Sequence, residues 1–564
     1  MAKPGAFPPA ACTTLCNVLI KAGYDPVFYD IDAQRPSPET LSEYFKTGQF
    51  DIVGISAVVS TSYGYAKNLA EIIKRVSPKT KIVLGGNLAA AYEIVLRKCR
   101  VDVCVIGEGE KVLVNLVKHL EKYGDFDPAG NELPEIKGIV YLGTDNSCRF
   151  TGYEDLISSD EIQEPDYELL SRFSDAGQYI FDPMTRYDFA YDERSRETGR
   201  RGKKAATIFT SKGCVNKCTF CHRWIKGYRL IPVEKVISTI KHLMDNYNVG
   251  YFCISDECFG ESVQWLEEFV RLIKPLNVLF QVGGVRVSIL KSDHTIIRRL
   301  KEAGLTAMYF GMESGSDKIL NLMEKNATRG ENLAVAKMCA EAGVYTVIQL
   351  VIGMPGENDG TINETIEFVE SVSDNLPYPS ALSINYLQAL PGTPCYELLR
   401  YYDFLGKTPE DEERYLLKIS DINPDSRQYI NVSEEPLSKV KLWDRRIIES
   451  NRIHWLKRHG WKKPPVSQGF NEDAGTRRGL VPRIKAFLKR NLITDRIIDL
   501  MGENFWGILI IKNRLFLYGV KKTVLLTLGL TGEEDRSLFK AGSRSLREIL
   551  REKAEIKNGG KILV

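Results

Sequence analysis

The feature that most constrains the fold is the regular alternation of strand-like and helix-like segments that begins at Ala205. Short runs rich in β-branched and aromatic residues alternate with amphipathic segments of helical length. Such repeats build a parallel sheet with helices on its outer face, here a partial or full barrel. The pattern predicts strands at 205–210, 251–256, 278–286, 307–314, 345–354 and 381–389, and helices at 233–247, 263–273, 295–303, 331–342 and 362–372.

Three cysteines, Cys214, Cys218 and Cys221, follow the first of these predicted strands in the spacing C-x3-C-x2-C. Structural zinc and iron–sulfur sites usually have four protein ligands, so this spacing indicates a cluster with one iron open to a small molecule. A zinc site completed by His222 is the alternative, although adjacent residues seldom converge on one ion. A structural disulfide is less favoured, because nothing marks the chain as secreted.

Polar and glycine-rich turns follow the other predicted strands of this series. Functional groups of a parallel barrel lie at the C-terminal ends of its strands, so these turns are expected around one mouth. Carboxylates, a guanidinium and exposed backbone groups suit a ligand with amine, carboxylate, ribose and adenine parts, although any single turn could be a routine loop. The candidate residues are Asp256, Glu257, Arg286, Glu313, Ser314, Gly353 and Pro355.

The first part of the chain predicts a separate doubly wound parallel sheet. Strand-like runs at 25–32, 51–58, 81–86 and 101–107 alternate with helical segments such as 63–76 and 89–98. The turns at Gly85-Gly86 and Gly107-Glu108 end two of these strands, where open α/β sheets bind ligands. The alternative is that these glycines only turn the chain.

The segments around these two series are less regular. Residues 136–152 predict a hairpin or an edge extension, and the charged run 192–204 predicts a solvated linker. Beyond about residue 400 the chain predicts helices, with basic, aromatic segments at 455–463 and 485–496. These segments could form a solvated helical cap or a surface that meets a membrane interface.

Composition excludes several classes of protein. The net charge of +3 over 564 residues gives no general attraction to nucleic acid, and the N-terminus lacks a secretory signal. The apolar stretch 506–530 is interrupted by lysine and arginine, so no membrane span is predicted. Twelve cysteines without a secretory signal favour a cytoplasmic protein with most thiols free.

The run from Ala205 to about Tyr396 closely resembles the radical S-adenosylmethionine (SAM) superfamily. The cysteine loop has an aromatic residue, Phe220, before its last cysteine, and three later stretches match in order: GMESGSDKILNLMEKNATR, VIQLVIGMPGEN and LQALPGTPCYE. The resemblance implies a [4Fe-4S] cluster on the three cysteines and a 5′-deoxyadenosyl radical made from SAM at its open iron. Glu313 and Ser314 match positions that contact the ribose or methionine part of SAM, and Gly353 with Pro355 lies near the adenine. Asp256-Glu257 departs from the common Gly-Gly-Glu.

The first part of the chain resembles the cobalamin-binding domain of the branch that includes methyltransferases and the anaerobic Mg-protoporphyrin ester cyclase. The matching runs are PPAACTTLCNVLIKAGYDPVFYDID, DIVGISAVVSTSYGYAKNLAEII, KIVLGGNLAAAYEIVL and VDVCVIGEGE. The resemblance implies cobalamin bound near Ser56, Gly85, Gly86, Gly107 and Glu108, without a histidine ligand to cobalt. Family members carry a strand before the Pro8-Pro9 turn. We therefore expect either that the true start lies upstream or that the domain is remodelled and binds cobalamin poorly.

The sequence therefore predicts four regions. They are a cobalamin-binding-like Rossmann domain of flavodoxin type (1–135), a connector (136–204), a radical SAM (β/α)6 partial TIM barrel (205–400) and a helical C-terminal domain (401–564).

The resemblance implies a cobalamin-dependent C-methyltransferase, or else a radical cyclase, oxidase or rearrangement enzyme without methyl transfer. A non-catalytic sensor is a third hypothesis. The expected partners are a small-molecule substrate, such as a lipid, a tetrapyrrole or a natural-product intermediate, and an electron donor such as flavodoxin or ferredoxin. Peripheral membrane contact is a further possibility, whereas nucleic acid is not expected as a partner.

Overall fold

The computed structural model describes residues 7–126, 133–222, 227–287, 295–420 and 430–459. The predicted segments 485–496 and 506–530 lie outside these residues. In the described part of the chain, no helix is long and apolar enough to cross a bilayer.

The first sheet has five strands in chain order, and its first three strands are parallel. The hairpin predicted at 136–152 is confirmed, and it extends this sheet in antiparallel fashion beyond the third strand. The strands are β1 (Ile52–Ser56), β2 (Lys81–Gly85), β3 (Val103–Val105), β4 (Ile139–Leu142) and β5 (Cys148–Phe150). The helices are α1 (Ala10–Lys21), α2 (Ile31–Gln34), α3 (Pro38–Gly48), α4 (Tyr63–Val76), α5 (Tyr92–Lys98) and α6 (Glu110–Tyr123).

The strand predicted at 25–32 is wrong. Residues 25–30 form no strand, and α2 begins at Ile31. A strand exists only when a neighbour accepts its hydrogen bonds, and among the described residues β1 pairs with β2 alone. Val27 is therefore exposed rather than buried in a sheet.

The second sheet contains six parallel strands in chain order, and all six predicted strands are confirmed within a few residues. The two ends of the sheet do not pair with each other, so the barrel is partial. Its strands are β6 (Lys204–Ile208), β9 (Val249–Phe259), β10 (Leu279–Val285), β11 (Leu305–Glu313), β12 (Tyr345–Ile352) and β13 (Ala381–Tyr386). Strands β7 (Ser211–Cys214) and β8 (Gly227–Leu230) form a separate two-stranded ribbon between β6 and β9.

Helices cover the outer face of this sheet as the periodicity predicts. The helix predictions at 233–247 and 263–273 match the structure, and capping boxes at Thr328 and Asn358 begin two later helices. The helices are α7 (Tyr167–Phe173) and α8 (Tyr187–Tyr191) in the connector, then α9 (Val233–Tyr247), α10 (Val263–Ile273), α11 (Ile296–Glu302), α12 (Asp317–Leu322), α13 (Arg329–Glu341), α14 (Asp359–Ser373), α15 (Pro394–Tyr401), α16 (Pro409–Lys418) and α17 (Leu437–His459).

The solvated linker predicted at 192–204 is exposed over most of its length, but its first residues are not solvated. Asp192 is buried and forms ion pairs with Arg194 and with Lys301 of α11. Arg194 also donates to the carbonyl of Leu305 at the start of β11. The charged run therefore binds the N-terminal end of the barrel, because its acid and its arginine find partners there.

One hydrophobic core is shared by the first domain and the barrel. It joins residues of α4, such as Leu69, to Leu322, Met354 and Leu416 of the later region. The side chain of Tyr63 in α4 also donates a hydrogen bond to Glu413 of α16 across 2.8 Å. The mouth of the barrel is therefore held against the first domain by apolar burial as well as by polar contacts.

Candidate active site

The cysteine loop connects the two strands of the β7–β8 ribbon. Cys214 is the last residue of β7 and lies opposite Gly227 of β8. Ser211 donates a hydrogen bond to the carbonyl of Cys258 on β9, across 2.8 Å, and so ties the ribbon to the barrel. The loop therefore starts at the C-terminal end of the barrel, as the sequence predicts.

The backbone of Thr219 anchors the middle of this loop. Its amide donates to the carbonyl of Met323, and its carbonyl accepts from the amide of Cys395, at 3.0 Å in each case. Phe220, which follows Thr219, packs against the shared hydrophobic core. These contacts hold Thr219 in place between Cys218 and Cys221. They do not involve the sulfur atoms of the two cysteines.

The three thiols differ in environment. Cys218 is buried, Cys214 is half-buried and Cys221 is exposed. A hydrogen bond from the thiol of Cys258 is the largest influence on Cys214 and lowers its pKa to about 5, whereas burial raises the pKa of Cys218. The surroundings of Cys214 therefore favour its thiolate more than those of Cys218 do.

Arg286 follows β10 and stands beside the cysteine loop. Its Nη1 lies 3.9 Å from Sγ of Cys214, and its Nη2 donates to the carbonyl of Lys325 across 3.0 Å. The side-chain amide of Asn216 donates to the same carbonyl across 3.1 Å and lies 3.9 Å from Sγ of Cys218. Positive charge and N–H donors near the sulfur atoms favour an anionic cluster and influence its reduction potential.

Glu313 and Lys325 form an ion pair at the same mouth, with 2.9 Å between Oε1 and Nζ. Burial alone would lower the pKa of Lys325, but Glu313 and the sulfur of Cys218 raise it above its ordinary value. Glu313 has a φ of 62°, at a bulge in the pairing of β11 with β12. A non-glycine residue in this conformation is often found at a functional site.

The remaining barrel candidates are buried. The hydroxyl of Ser314 accepts from the amide of Ser316 and lies 3.3 Å from the hydroxyl of Thr365. Gly353 and Pro355 form the turn after β12, where Glu357 accepts a hydrogen bond from the amide of Gly353. Glu357 was not among the candidate residues, although it ends the turn that contains Gly353.

The two acidic candidates at the end of β9 lie in different environments. Asp256 is buried and accepts hydrogen bonds from the amide of Thr210, at 2.7 Å, and from its hydroxyl. Glu257 is exposed. The structure therefore uses Asp256 to hold the end of β6 and leaves Glu257 as the acid that can reach a ligand.

The candidates of the first domain lie at the ends of β1, β2 and β3. Gly86 has a φ of 89°, and a Cβ there would lie 2.4 Å from the carbonyl oxygen of Ala57, so the turn requires glycine. A Cβ at Gly107 would meet no atom within 4 Å. Ser56 is exposed and Gly85 half-buried. Space and exposed backbone at this edge fit a bound ligand.

Glu108 does not face that space. Its carboxylate binds Arg229 and Lys212 of the β7–β8 ribbon. The sequence led us to expect that Glu108 contacts cobalamin. Its partners in the structure are more than 100 residues away in sequence and become neighbours only when the two domains meet.

A second contact brings the first domain to the cysteine loop. Oγ of Ser60, after β1, lies 2.9 Å from Nε2 of His222, and burial lowers the pKa of His222 to about 4. This contact ties the residue that follows Cys221 to the first domain. Val58 and Val59, which precede Ser60, and Val215 of the cysteine loop are exposed.

The residues present fit the [4Fe-4S] cluster and the cobalamin that the resemblance implies. Among the described residues, no group of three or more His, Cys, Asp or Glu side chains converges on a position for one metal ion. The cysteines of a cubane cluster bind three different iron atoms, and here they have cationic and amide neighbours in Arg286 and Asn216. The open edge at Gly107 fits a ligand of the first domain.

Comparison with protein families identifies both domains. A model of the radical SAM superfamily matches residues 208–369, and a model of the B12 binding domain matches residues 4–117.

Individual proteins show similarity over more of the chain. The anaerobic magnesium-protoporphyrin IX monomethyl ester cyclase of Cereibacter sphaeroides is 27% identical over 512 residues, which cover 89% of this chain and 75% of that protein. An uncharacterized methyltransferase of Pyrococcus horikoshii is 26% identical over 394 residues, which cover 69% of this chain and 76% of that protein. The solved structure of OxsB, a cobalamin-dependent SAM radical enzyme with aqua-cobalamin and SAM bound, has a TM-score of 0.57. The two chains are 15% identical, and the match covers 96% of this chain and 80% of OxsB, which shows a common fold.

Proposed function

Because the chain belongs to the radical SAM superfamily and carries a B12-binding domain, we propose that it is a cobalamin-dependent radical C-methyltransferase acting on a small molecule. The observation that carries the proposal is the contact between the ligand edge of the first sheet and the cysteine loop. Ser60 lies 2.9 Å from His222, which is next to Cys221. A substrate between the domains would meet both cofactor sites.

The chain's own residues would hold, orient and shield these cofactors. Cys214, Cys218 and Cys221 would bind the [4Fe-4S] cluster, and Arg286 with Lys325 would supply positive charge beside it. When bound, the cluster with SAM supplies a 5′-deoxyadenosyl radical, and cobalamin supplies a methyl group for transfer.

The remaining roles follow from the placement of the other candidates. Glu257 and Glu313 would bind the amine or the hydroxyls of SAM, and the turn at Gly353 and Pro355 would present its backbone to the adenine. Gly85, Gly86 and Gly107, with the exposed Ser56, would let cobalamin approach the first sheet closely.

Product analysis tests the proposal. Anaerobically reconstituted protein, supplied with hydroxocobalamin, reductant and SAM carrying a deuterated methyl group, is incubated with candidate lipids, tetrapyrroles and natural-product intermediates. Methyl transfer predicts S-adenosylhomocysteine together with 5′-deoxyadenosine and a labelled product. The variant with Cys214, Cys218 and Cys221 all changed to Ala is the control and must form neither 5′-deoxyadenosine nor the labelled product.

A second candidate is radical cyclisation or oxidation without methyl transfer. It is favoured by the similarity to the Cereibacter sphaeroides cyclase, which covers 89% of this chain. The same experiment distinguishes the two, because this chemistry predicts 5′-deoxyadenosine without S-adenosylhomocysteine. Flavodoxin and ferredoxin are the electron donors to compare in both cases.

A further inference from the structure

The ribbon that carries Cys214 places two positive charges opposite each other. Lys212 of β7 and Arg229 of β8 are cross-strand partners in the register of this hairpin. Like charges at such positions repel, and a ribbon of two strands has little stability of its own. The ribbon therefore needs a negative partner to hold the cysteine loop in one position.

Two carboxylates of the first domain supply that partner. Glu108 forms a close ion pair with Nη2 of Arg229 and lies 3.1 Å from its Nη1 and 3.2 Å from Nζ of Lys212. Glu110 forms a second close ion pair with Lys212. Two positive and two negative charges thus meet where the first domain touches the ribbon.

The acid at the centre of this group is almost completely enclosed. The side chain of Glu108 is 4% exposed, and its Oε2 also accepts a hydrogen bond from the amide of Ile157 in the connector across 2.9 Å. Arg229 donates to the carbonyl of the same residue across 2.5 Å. Glu108 therefore joins the first domain, the connector and the ribbon at a single carboxylate.

We propose that Glu108 is a positioning residue for the iron–sulfur cluster. It fixes the β7–β8 ribbon, and therefore Cys214, relative to the first domain. It follows directly after Gly107, which lies in the turn that we assign to the ligand of the first domain. Gly107 thus serves the ligand site of the first domain, and its neighbour Glu108 serves the cluster site. This inference rests on cluster binding by the three cysteines but not on methyl transfer.

The test compares Glu108→Gln with Glu93→Gln. Glu93 is also an acid of the first domain that pairs with an arginine of a later region, Arg400, at 2.6 Å, but it does not touch the ribbon. In cluster-free protein we expect Glu108→Gln to speed hydrogen exchange of 211–214 and 227–230, and iodoacetamide labelling of Cys214, by about tenfold or more. We expect Glu93→Gln to leave both rates unchanged.

Three further measurements separate positioning from general stability. In reconstituted protein, Glu108→Gln should shift the midpoint potential of the cluster, whereas Glu93→Gln should not. Lys212→Met leaves the Glu108–Arg229 pair intact and should give a smaller change in exchange. Arg229→Lys keeps a positive charge but loses the two-pronged contact with Glu108, and it should speed exchange by less than Glu108→Gln does.

The proposal is wrong if Glu108→Gln leaves exchange of the ribbon and labelling of Cys214 at wild-type rates. It is also wrong if Glu93→Gln raises them equally. If Glu108→Gln does not fold, Lys212→Met and Arg229→Lys decide the question by the same two rates, and wild-type rates in both would overturn the proposal. None of these measurements uses a substrate, so failure of methyl transfer would leave the result intact.

Discussion

Lys325 donates a hydrogen bond from Nζ to Oε1 of Glu313 across 2.9 Å, and its carbonyl accepts from Arg286 and Asn216. One residue thus connects the acid at the end of β11 to the two side chains that lie beside the cysteine sulfur atoms. The relationship makes Lys325 part of the mouth of the barrel, although it lies in a loop after α12.

We predict that Lys325→Met lowers the rate of SAM cleavage by about tenfold or more, because it leaves the charge of Glu313 buried and unpaired. The measurement is 5′-deoxyadenosine formed per cluster under reducing conditions. Lys337→Met, which removes an exposed lysine of α13 4.0 Å from Glu341, is the control and should keep the wild-type rate. Equal rates for both variants would contradict the prediction.

Gly86→Ala should destabilise the protein by more than about 1 kcal/mol, because the residue has a positive φ and its new Cβ would meet the carbonyl of Ala57. Gly54→Ala is the matched control, since a Cβ at that position in β1 meets no atom within 4 Å. The free energy of unfolding in urea gives both values, and hydroxocobalamin titration should show weaker binding for Gly86→Ala alone. A stable Gly86→Ala protein would refute the assignment of this turn.

Asp192→Asn should lower the free energy of unfolding near neutral pH by about 2 kcal/mol. Hydrogen bonds and charges from Arg194 and Lys301 outweigh the effect of burial and lower the pKa of Asp192 to about 2. A lowered pKa stabilises the folded state above the unfolded value of about 3.9, and this contribution is lost as the pH falls towards 2.

The measurement is urea denaturation of both proteins from pH 7 downwards. The difference between wild type and Asp192→Asn should shrink as the acid is protonated. A solvated linker, as the sequence predicts for 192–204, would give no difference at any pH.

Ionisation of Glu357 should destabilise the folded protein as the pH rises, which is the opposite of the effect at Asp192. Burial raises the pKa of Glu357 to about 7, despite hydrogen bonds from the amides of Gly353 and Met354. The folded protein therefore retains a proton that the unfolded chain loses at about pH 4.3, and wild type loses stability as the pH rises from there through about 7.

Glu357→Gln has no such titration, so its stability relative to wild type should improve by up to about 3 kcal/mol between pH 4.5 and 8. Thermal unfolding across this range provides the measurement. Glu367→Gln, at an exposed position of α14, should show no comparable trend. A parallel pH dependence for wild type and Glu357→Gln would show that the carboxylate is ionised throughout.

The sequence predicted the elements whose pattern is local. The six barrel strands and most helices were predicted because hydrophobic period and length are properties of neighbouring residues. The strand at 25–32 failed, although its composition is suitable, because pairing depends on a partner strand that composition does not reveal.

The candidate site divides in the same way. The cysteine loop, Arg286 and Glu313 were predicted from their positions after strands. Lys325 and the ion pairs of Asp192 and Glu108 were missed, because their partners are distant in sequence and only the fold brings them together. Predictions of which residues contact each cofactor stay predictions.

The ion pairs of Glu108 and Glu110 with the β7–β8 ribbon have a consequence for biosynthesis. The carboxylates precede Lys212 and Arg229 by about a hundred residues, so a growing chain completes the first domain well before the ribbon emerges from the ribosome. The surface that receives the cysteine loop is thus made first, before the loop itself has left the ribosome.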